Sequence, residues 1–370
     1  MDRYLSDLEA IQRRAKANPM LGFDEAAEQM ALTNIFHLCP QLTWPQMQQT
    51  ARAAAFNQSQ AVLDLHHATT LLNDIEVIDP ASTQTAEQPF IYAAPHYGSY
   101  RLIPAYLLVN NRPLTIVIDD LVAEAQGTDF ERMFKTYADQ AGAARDLLTF
   151  RYTSQSSLLV GMIRDIRKGR SLLLYFDGNK STAAGSDHTV PVDFLGHKVH
   201  ARYGIPQVAQ MTRTAIVPVT ATRGKSPAEN TIAFEPPIAP DHQLETFNGQ
   251  AMQRLWSGLA EKVAINPAHW EALRYVHKFA DYTPPSRQTI AGSAALVFDH
   301  RRFAIKCQGN RGEIYDRSRL TVTAVKGTVL DALTRLGRAE PGTDPASMVD
   351  SPDLRAWLVQ KEFLVERARL

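Results

Sequence analysis

The sequence has few of the residues that define several classes of protein. Only two of its 370 residues are cysteines, Cys39 and Cys307, which is too few for a disulfide framework or a cysteine-ligated metal site. No run approaches the roughly 18 apolar residues of a membrane span, and the charged start of the chain does not suit a signal peptide. We therefore expect a soluble, cytoplasmic protein with no integral membrane span.

Net charge is also absent. The 39 basic and 39 acidic residues cancel, so no general field attracts nucleic acid, and we expect no nucleic-acid partner. His188, His197 and His200 lie in a segment whose pattern looks irregular, and their spacing does not suit a zinc site. The glycines form no phosphate-binding fingerprint. The sequence therefore predicts no metal and no cofactor.

The length of the chain allows two or three domains. Residues 1–78 predict a helical N-terminal part. Residues 79–283 alternate apolar strands with helical patterns, which predicts an α/β fold with a mostly parallel sheet flanked by helices. In residues 284–370, short alternating strands precede helical patterns at 323–336 and 354–366. This order predicts a small α+β, winged-helix-like accessory domain.

One stretch carries the clearest chemical signal. Residues 90–94 form a short apolar run that predicts a buried strand, and Pro95 ends it because the residue before a proline prefers extended geometry. His96 follows at once, ahead of an apolar, helix-like segment at 102–109. Open α/β sheets place their reactive groups at such strand ends. His96 is therefore a candidate catalytic residue, and the alternative is an ordinary loop histidine.

A second polar loop follows the apolar strand at 171–176. It begins with Asp177 and Gly178. If the two strands are parallel members of one sheet, their carboxyl ends share a rim, and Asp177 is a candidate partner for His96. An Asp-Gly pair after a strand is also an ordinary turn signal. Both interpretations of Asp177 stay open at this point.

The order of these segments resembles the lysophospholipid acyltransferase superfamily, and most closely the late acyltransferases of lipid A synthesis. The resemblance covers about residues 30–280 and rests on His96, the loop at 175–179, the segment at 190–196, the strand at 215–219 and the Asn-Pro-x-x-Trp segment at 266–270. The last of these leads into a predicted helix over 270–277. The resemblance implies an acyltransferase-like α/β core.

The resemblance also implies a reaction. Such enzymes transfer an acyl group from a thioester, on acyl carrier protein or coenzyme A, to a hydroxyl or an amine. The histidine takes the acceptor's proton as the acceptor attacks the thioester carbonyl, and a carboxylate orients the imidazole. The implied partners are an acyl or peptidyl carrier protein and a small-molecule or carrier-bound acceptor.

The sequence departs from the family at one position. The family keeps an acidic residue five positions after the histidine, and this chain has Arg101 there. Asp177 is one candidate to replace the missing carboxylate. A second interpretation has His96 oriented by a backbone carbonyl or by Tyr100, which leaves Arg101 to bind an acidic group. In a third, the family's chemistry is lost and the fold serves another reaction or binds a carrier or substrate within a biosynthetic complex.

We predict substrate-binding residues around the same loops, where polar and cationic groups suit the phosphate or carboxylate of a substrate. They are Tyr100, Arg101, Gly178, Asn179, Lys180 and Arg145. The predicted function is acyl transfer with His96 as general base and Asp177 as its carboxylate. The alternative is a non-catalytic carrier- or substrate-binding protein.

Overall fold

The computed structural model describes residues 1–21, 23–83, 87–120, 135, 139, 147–178, 188–226, 228–241, 246–283, 296–309 and 311–366. The chain forms two compact units, Met1–Gly22 with Arg52–Asp281, and Phe23–Ala51 with Tyr282–Leu370. The predicted boundaries at 78 and 283 divide the chain differently, because residues 23–51 group with the second unit.

The described α-helices are spread along the chain, before, between and after the strands. They are α1 (Asp2–Ala17), α2 (Glu25–Leu38), α3 (Trp44–His66), α4 (Ala68–Leu71), α5 (Leu102–Val109), α6 (Leu158–Arg167), α7 (Gly204–Thr212), α8 (Phe247–Ile265), α9 (Gly327–Arg338) and α10 (Pro352–Gln360). None of these described helices is both long enough and apolar enough to cross a membrane.

The described residues of the first unit form ten strands. They are β1 (Glu76–Ile78), β2 (Ile91–Ala94), β3 (Leu114–Ile118), β4 (Leu148–Tyr152), β5 (Ser171–Tyr175), β6 (Thr189–Phe194), β7 (His197–Arg202), β8 (Ile216–Arg223), β9 (Asn230–Phe234) and β10 (Ala280–Asp281). Seven of them form one sheet in the order β1-β9-β8-β2-β5-β3-β4. Only the β8–β9 pair in it is antiparallel. The predicted mostly parallel sheet flanked by helices is confirmed.

The centre of this sheet is apolar on both faces. All four residues of β2 are buried, and Tyr92, Leu173 and Val217, from three adjacent strands, are fully buried in one core cluster. Strands covered on both faces have continuous apolar runs rather than alternation. This is why the sequence pattern identified β2 and β5, and why their polar residues begin only at the rim.

Two predictions for the first unit were wrong. The segment around His188 and His200 is a regular hairpin, because β6 and β7 pair antiparallel and turn at Leu195 and Gly196, which both have positive φ. The predicted helix over 270–277 is instead a series of short 3-10 turns, Pro267–His269, Glu271–Arg274 and Val276–Lys278. Because these turns are short and pack against buried groups at the rim of the sheet, their side chains do not form one face of a helix.

The second unit combines two small sheets with helices. Its strands are β11 (Leu296–Phe298), β12 (Phe303–Gln308), β13 (Arg311–Asp316), β14 (Thr321–Lys326) and β15 (Leu364–Glu366). Strands β12, β13 and β14 form an antiparallel meander, and β11 pairs with β15. The predicted helix over 323–336 begins later, at Gly327. Its first residues alternate β-branched side chains and belong to β14 instead.

A buried arginine explains why α2 belongs to the second unit. Arg317 is 1% exposed. It donates hydrogen bonds to the carbonyl oxygens of His300 and Arg301, at 3.1 and 3.0 Å, and to Oε1 of Gln29 in α2 at 3.0 Å. Its own carbonyl oxygen lies 2.9 Å from Nε2 of His37. Residues before 52 thus supply part of the polar interior of this unit.

Candidate active site

The register of two parallel strands brings His96 and Asp177 together. Ala94 of β2 pairs with Tyr175 of β5, so the residues two positions further on leave the sheet side by side at its carboxyl rim. His96 Nδ1 lies 2.7 Å from Oδ1 of Asp177. The backbone N–H of His96 also points at the carboxylate, 3.1 Å from Oδ1 and 3.0 Å from Oδ2.

The Asp177 carboxylate is held on every side. It is 1% exposed, and the indole N–H of Trp270 donates to its Oδ2 at 2.7 Å. With Nδ1–H of His96 donating to the same carboxylate, the neutral imidazole keeps its lone pair on Nε2. Nε2 has no hydrogen-bond partner among the described residues, so it is the atom left to take a proton.

Two tyrosines fix the plane of the imidazole. The ring of Tyr175 stacks on it with 4.4 Å between centroids, and Tyr100 meets it edge-on at 4.9 Å. The side chain of His96 is 21% exposed. The ring is therefore held in one orientation but stays accessible along one edge.

A second carboxylate, Glu271, lies behind this group. Its backbone N–H donates to the carbonyl oxygen of His96 at 2.9 Å. Its Oε2 accepts a 2.7 Å hydrogen bond from the hydroxyl of Tyr100, and its Oε1 lies 2.7 Å from Nη2 of Arg274. Glu271 was absent from the predicted site. The signal that marks it is its position directly after Trp270 in the Asn-Pro-x-x-Trp segment.

The two carboxylates determine the protonation of His96. Burial disfavours the imidazolium and by itself would lower the pKa of His96, but the charge and hydrogen bond of Asp177, together with Glu271, raise that pKa above 6.5. Arg101 acts in the opposite direction. Burial likewise opposes the charged form of Glu271, yet His96, Arg274 and Arg101 lower its pKa. The surroundings thus favour the ionised form of Glu271 and the protonated form of His96.

The turn after His96 depends on a glycine. Gly98 has φ of +62°, and a Cβ there would lie 2.3 Å from the carbonyl oxygen of Ala221. Its N–H donates to the carbonyl oxygen of His269 at 2.9 Å. Its carbonyl oxygen accepts from Nη2 of Arg223 at 3.3 Å, and Nη1 of that arginine lies 2.6 Å from Oδ2 of the fully buried Asp64.

The structure brings together some of the predicted substrate-binding residues. Tyr100 and Arg101 lie beside His96, with the Arg101 guanidinium 5.2 Å from the Tyr100 ring centroid, and Gly178 follows Asp177. The remaining three fall outside the described residues: Asn179, Lys180 and Arg145. In the described part of the chain, no three histidine, cysteine or acidic side chains cluster as metal ligands do.

Comparisons with known proteins place this geometry in a family. Residues 46–278, more than half of the chain, match the family described as bacterial lipid A biosynthesis acyltransferase. Among solved structures, the 1-acyl-sn-glycerophosphate acyltransferase PlsC from Thermotoga maritima is similar over 63% of this chain and 94% of its own, with 11% identity and a TM-score of 0.33. No curated protein sequence matches. The chain belongs to the bacterial lipid A biosynthesis acyltransferase family, whose members transfer acyl groups.

Proposed function

We propose that the protein transfers an acyl group from a thioester, on acyl carrier protein or coenzyme A, to an amine or hydroxyl of a small or carrier-bound acceptor. His96 is the general base in this proposal, and Asp177 orients it. The observation that carries the proposal is the 2.7 Å contact between Nδ1 of His96 and Oδ1 of Asp177 at the carboxyl rim of the sheet. Membership of an acyltransferase family supports it.

The reaction follows from the free edge of the imidazole. The acceptor's N–H or O–H donates a hydrogen bond to Nε2 of His96, and that proton moves to Nε2 as the acceptor atom bonds to the thioester carbon. The carbonyl π electrons move to oxygen. When this intermediate collapses, the C–S bond breaks and the leaving thiolate takes the proton back from the imidazolium. The base therefore ends each cycle neutral.

The charges around His96 suit this sequence of steps. Two anions, Asp177 and Glu271, face two cations, Arg101 and Arg274, so the group is balanced while the imidazole is neutral. Proton transfer creates an imidazolium and an oxyanion at the same time. Asp177 stabilises the imidazolium that forms, as the carboxylate of a catalytic triad does.

The test is acyl transfer by the intact protein and a His96→Ala variant. Each is incubated with acyl coenzyme A or with acylated carrier protein and a panel of amines and alcohols. Mass spectrometry follows loss of the acyl group from the thiol and its gain by an acceptor. We expect His96→Ala to lower the rate by about 10²–10⁴-fold.

The matched control is His200→Ala. His200 is also a histidine paired with a carboxylate, because its Nε2 lies 2.7 Å from Oδ2 of Asp281, but the pair lies on the separate sheet of β6, β7 and β10. We expect this variant to retain transfer. Full activity in His96→Ala would rule out the proposed base, and release of free acid without any acylated acceptor would favour a thioesterase.

A further inference from the structure

One cation beside the imidazole has no carboxylate of its own. Arg101 is half-buried, and its buried Nε makes no hydrogen bond. It forms no ion pair with any residue that the structure describes, whereas Arg274, three residues beyond Glu271, forms one. Burial would lower the pKa of Arg101, but Tyr100, Glu271 and Tyr175 raise it, so the guanidinium is charged. Glu271 thus acts on Arg101 through its charge but makes no direct ion pair with it, and a partly buried cation without a directly bound anion is less stable than a paired one.

Both nearby carboxylates are already engaged. Oδ1 of Asp177 accepts from the His96 ring and its Oδ2 from Trp270, at 2.7 Å each. Oε1 of Glu271 is bound to Arg274 and its Oε2 to Tyr100. Neither carboxylate is able to turn to Arg101 without losing a buried hydrogen bond, which costs about 1–3 kcal/mol or more for a charged group. Among the described residues, neither nearby carboxylate is therefore left to pair directly with the Arg101 guanidinium, which is available to an anionic group of a ligand.

The position of Arg101 limits what that ligand is. The His96 ring centroid lies 4.9 Å from the Tyr100 ring centroid, and the Arg101 guanidinium carbon lies 5.2 Å from it, so base and cation are at most about 10 Å apart. The phosphate of a phosphopantetheine arm lies at the opposite end of that arm from the thioester. It is therefore not the group that reaches Arg101 while the thioester carbonyl is at His96.

We propose that Arg101 binds a carboxylate of the acyl acceptor, which makes the acceptor an amino acid, a hydroxy acid or a larger molecule that ends in one. This inference rests on the acyl-transfer function proposed above. His96 receives the proton of the acceptor's nucleophile, and Arg101 follows five residues later, so one short molecule contacts both. Because Nε is buried, the proposed contact uses Nη1 and Nη2, the pair with which a guanidinium binds a carboxylate.

The test compares charged acceptors with their neutral counterparts. The probes are the proteinogenic amino acids and the corresponding amino acid amides, offered with a thioester donor that the wild-type protein turns over. We expect kcat/KM for the carboxylates to exceed that for the amides by at least about tenfold, since charge-assisted hydrogen bonds are stronger than neutral ones. Arg101→Gln should abolish this preference mainly through KM, and Arg101→Lys should restore part of it.

The matched control is Arg164→Gln, because Arg164 is exposed on α6. It should keep the full preference for carboxylates. Thioester turnover with equal use of acids and amides would overturn this inference while leaving acyl transfer intact. An Arg101-dependent preference for dicarboxylic over monocarboxylic acyl donors would also overturn it, since the anion would then be on the acyl group. Absence of thioester turnover with every donor would overturn the proposed function itself.

Discussion

The carboxylate that holds His96 comes from a neighbouring strand, 81 positions away in the chain. Arg101 occupies the position at which the family has an acidic residue, and its positive charge suits a different role. In the proposed mechanism, Asp177 provides both the orientation of the ring and the charge that stabilises the imidazolium. At the scale of single residues, the site depends on one buried carboxylate more than on any other group.

Replacing Asp177 with asparagine tests this dependence. The amide keeps the size of the side chain and an oxygen for the indole N–H of Trp270, but removes the charge and favours the wrong tautomer of His96. We expect Asp177→Asn to remain folded and to lose about 10²–10⁴-fold in kcat. Steady-state kinetics and thermal unfolding measure the two effects. Asp281→Asn is the control, because Asp281 pairs with His200 on the separate sheet instead; equal losses in both variants would contradict the assignment.

The pH profile tests the same carboxylates in another way. Burial would lower the pKa of His96, but Asp177 and Glu271 outweigh it and hold the pKa above 6.5. A general base acts in its neutral form, so we expect the acid limb of kcat/KM above pH 6.5, moving to lower pH in Asp177→Asn. The imidazolium also stabilises the fold below pH 6.5, a contribution lost as pH rises through the raised pKa. An acid limb below pH 6.5 in the wild-type protein would contradict the role of Asp177 and Glu271 in raising the pKa of His96.

Local sequence pattern was enough to predict only some of the residues that the structure brings together at this rim. His96 was identifiable because an apolar strand and a proline precede it, and Asp177 because it ends another such strand. Tyr175 was not, since a tyrosine inside a strand gains its role from neighbours brought in by the sheet, and Glu271 was marked only by its position directly after Trp270. The charge of an arginine alone does not identify an anion site either, since Arg151 is bound to Asp165 through two hydrogen bonds.

At the scale of elements, the turn between β2 and α5 is fitted closely to β8. Gly98 has φ of +62° and no room for a Cβ beside Ala221. We expect Gly98→Ala to lower the melting temperature and to abolish most activity by moving His96. Gly169→Ala separates the two causes, because Gly169 has φ of +81° but nothing within 4 Å of a Cβ. The Gly169→Ala control should show only the cost of a left-handed backbone, about 1–2 kcal/mol. Equal losses of stability in the two variants would exclude the collision with Ala221 as the cause.

Helix α6 is tied to the sheet by one ion pair. Nε of Arg151, in β4, donates to Oδ2 of Asp165 at 2.6 Å, and the hydroxyl of Thr115, in β3, donates to the same oxygen at 3.1 Å. Asp165 is 5% exposed, so its charge is left uncompensated when the arginine is removed. We expect Arg151→Met to lower the free energy of unfolding by about 2 kcal/mol. Arg167→Met, at the exposed end of α6, is the control and should cost less than about 0.5 kcal/mol in chemical denaturation.

The boundaries of helices and strands could be predicted where one pattern of apolar residues dominated the sequence. The continuous apolar strands and the one-sided face of α6 are strong local signals. The β6–β7 hairpin was missed because Pro191 and Asp193 interrupt its pattern, although Val192 and Phe194 alternate inward. Strand register cannot be read from the sequence at all, because it is set by packing between strands. Yet the pairing of Ala94 with Tyr175 is what brings the candidate site together.

At the scale of the whole molecule, replacing Arg317 tests whether this residue stabilises the polar interior of the second unit. Its donors satisfy the carbonyl oxygens of His300 and Arg301 and the amide of Gln29. Removing it leaves these buried acceptors without donors, each at about 1–3 kcal/mol. We expect Arg317→Met to raise hydrogen exchange in α2 together with that in β12 and β13.

The control for this experiment is Arg335→Met, because Arg335 is exposed on α9. Exchange in the seven-stranded sheet should be unchanged in both variants, since Arg317 bonds only within its own unit. Unaltered protection of α2 in Arg317→Met would show that the arginine does not hold this unit together.

The wide spacing of the site along the chain has a consequence for its assembly in time. His96, Asp177, Arg223 and Trp270 come from distant parts of the first unit and meet at one rim. A growing polypeptide that has not yet emerged past residue 270 lacks the indole that fixes the carboxylate. Contacts of such long range form late in folding because they close large loops. We therefore expect the nascent chain to complete the candidate site only after nearly all of this unit has left the ribosome.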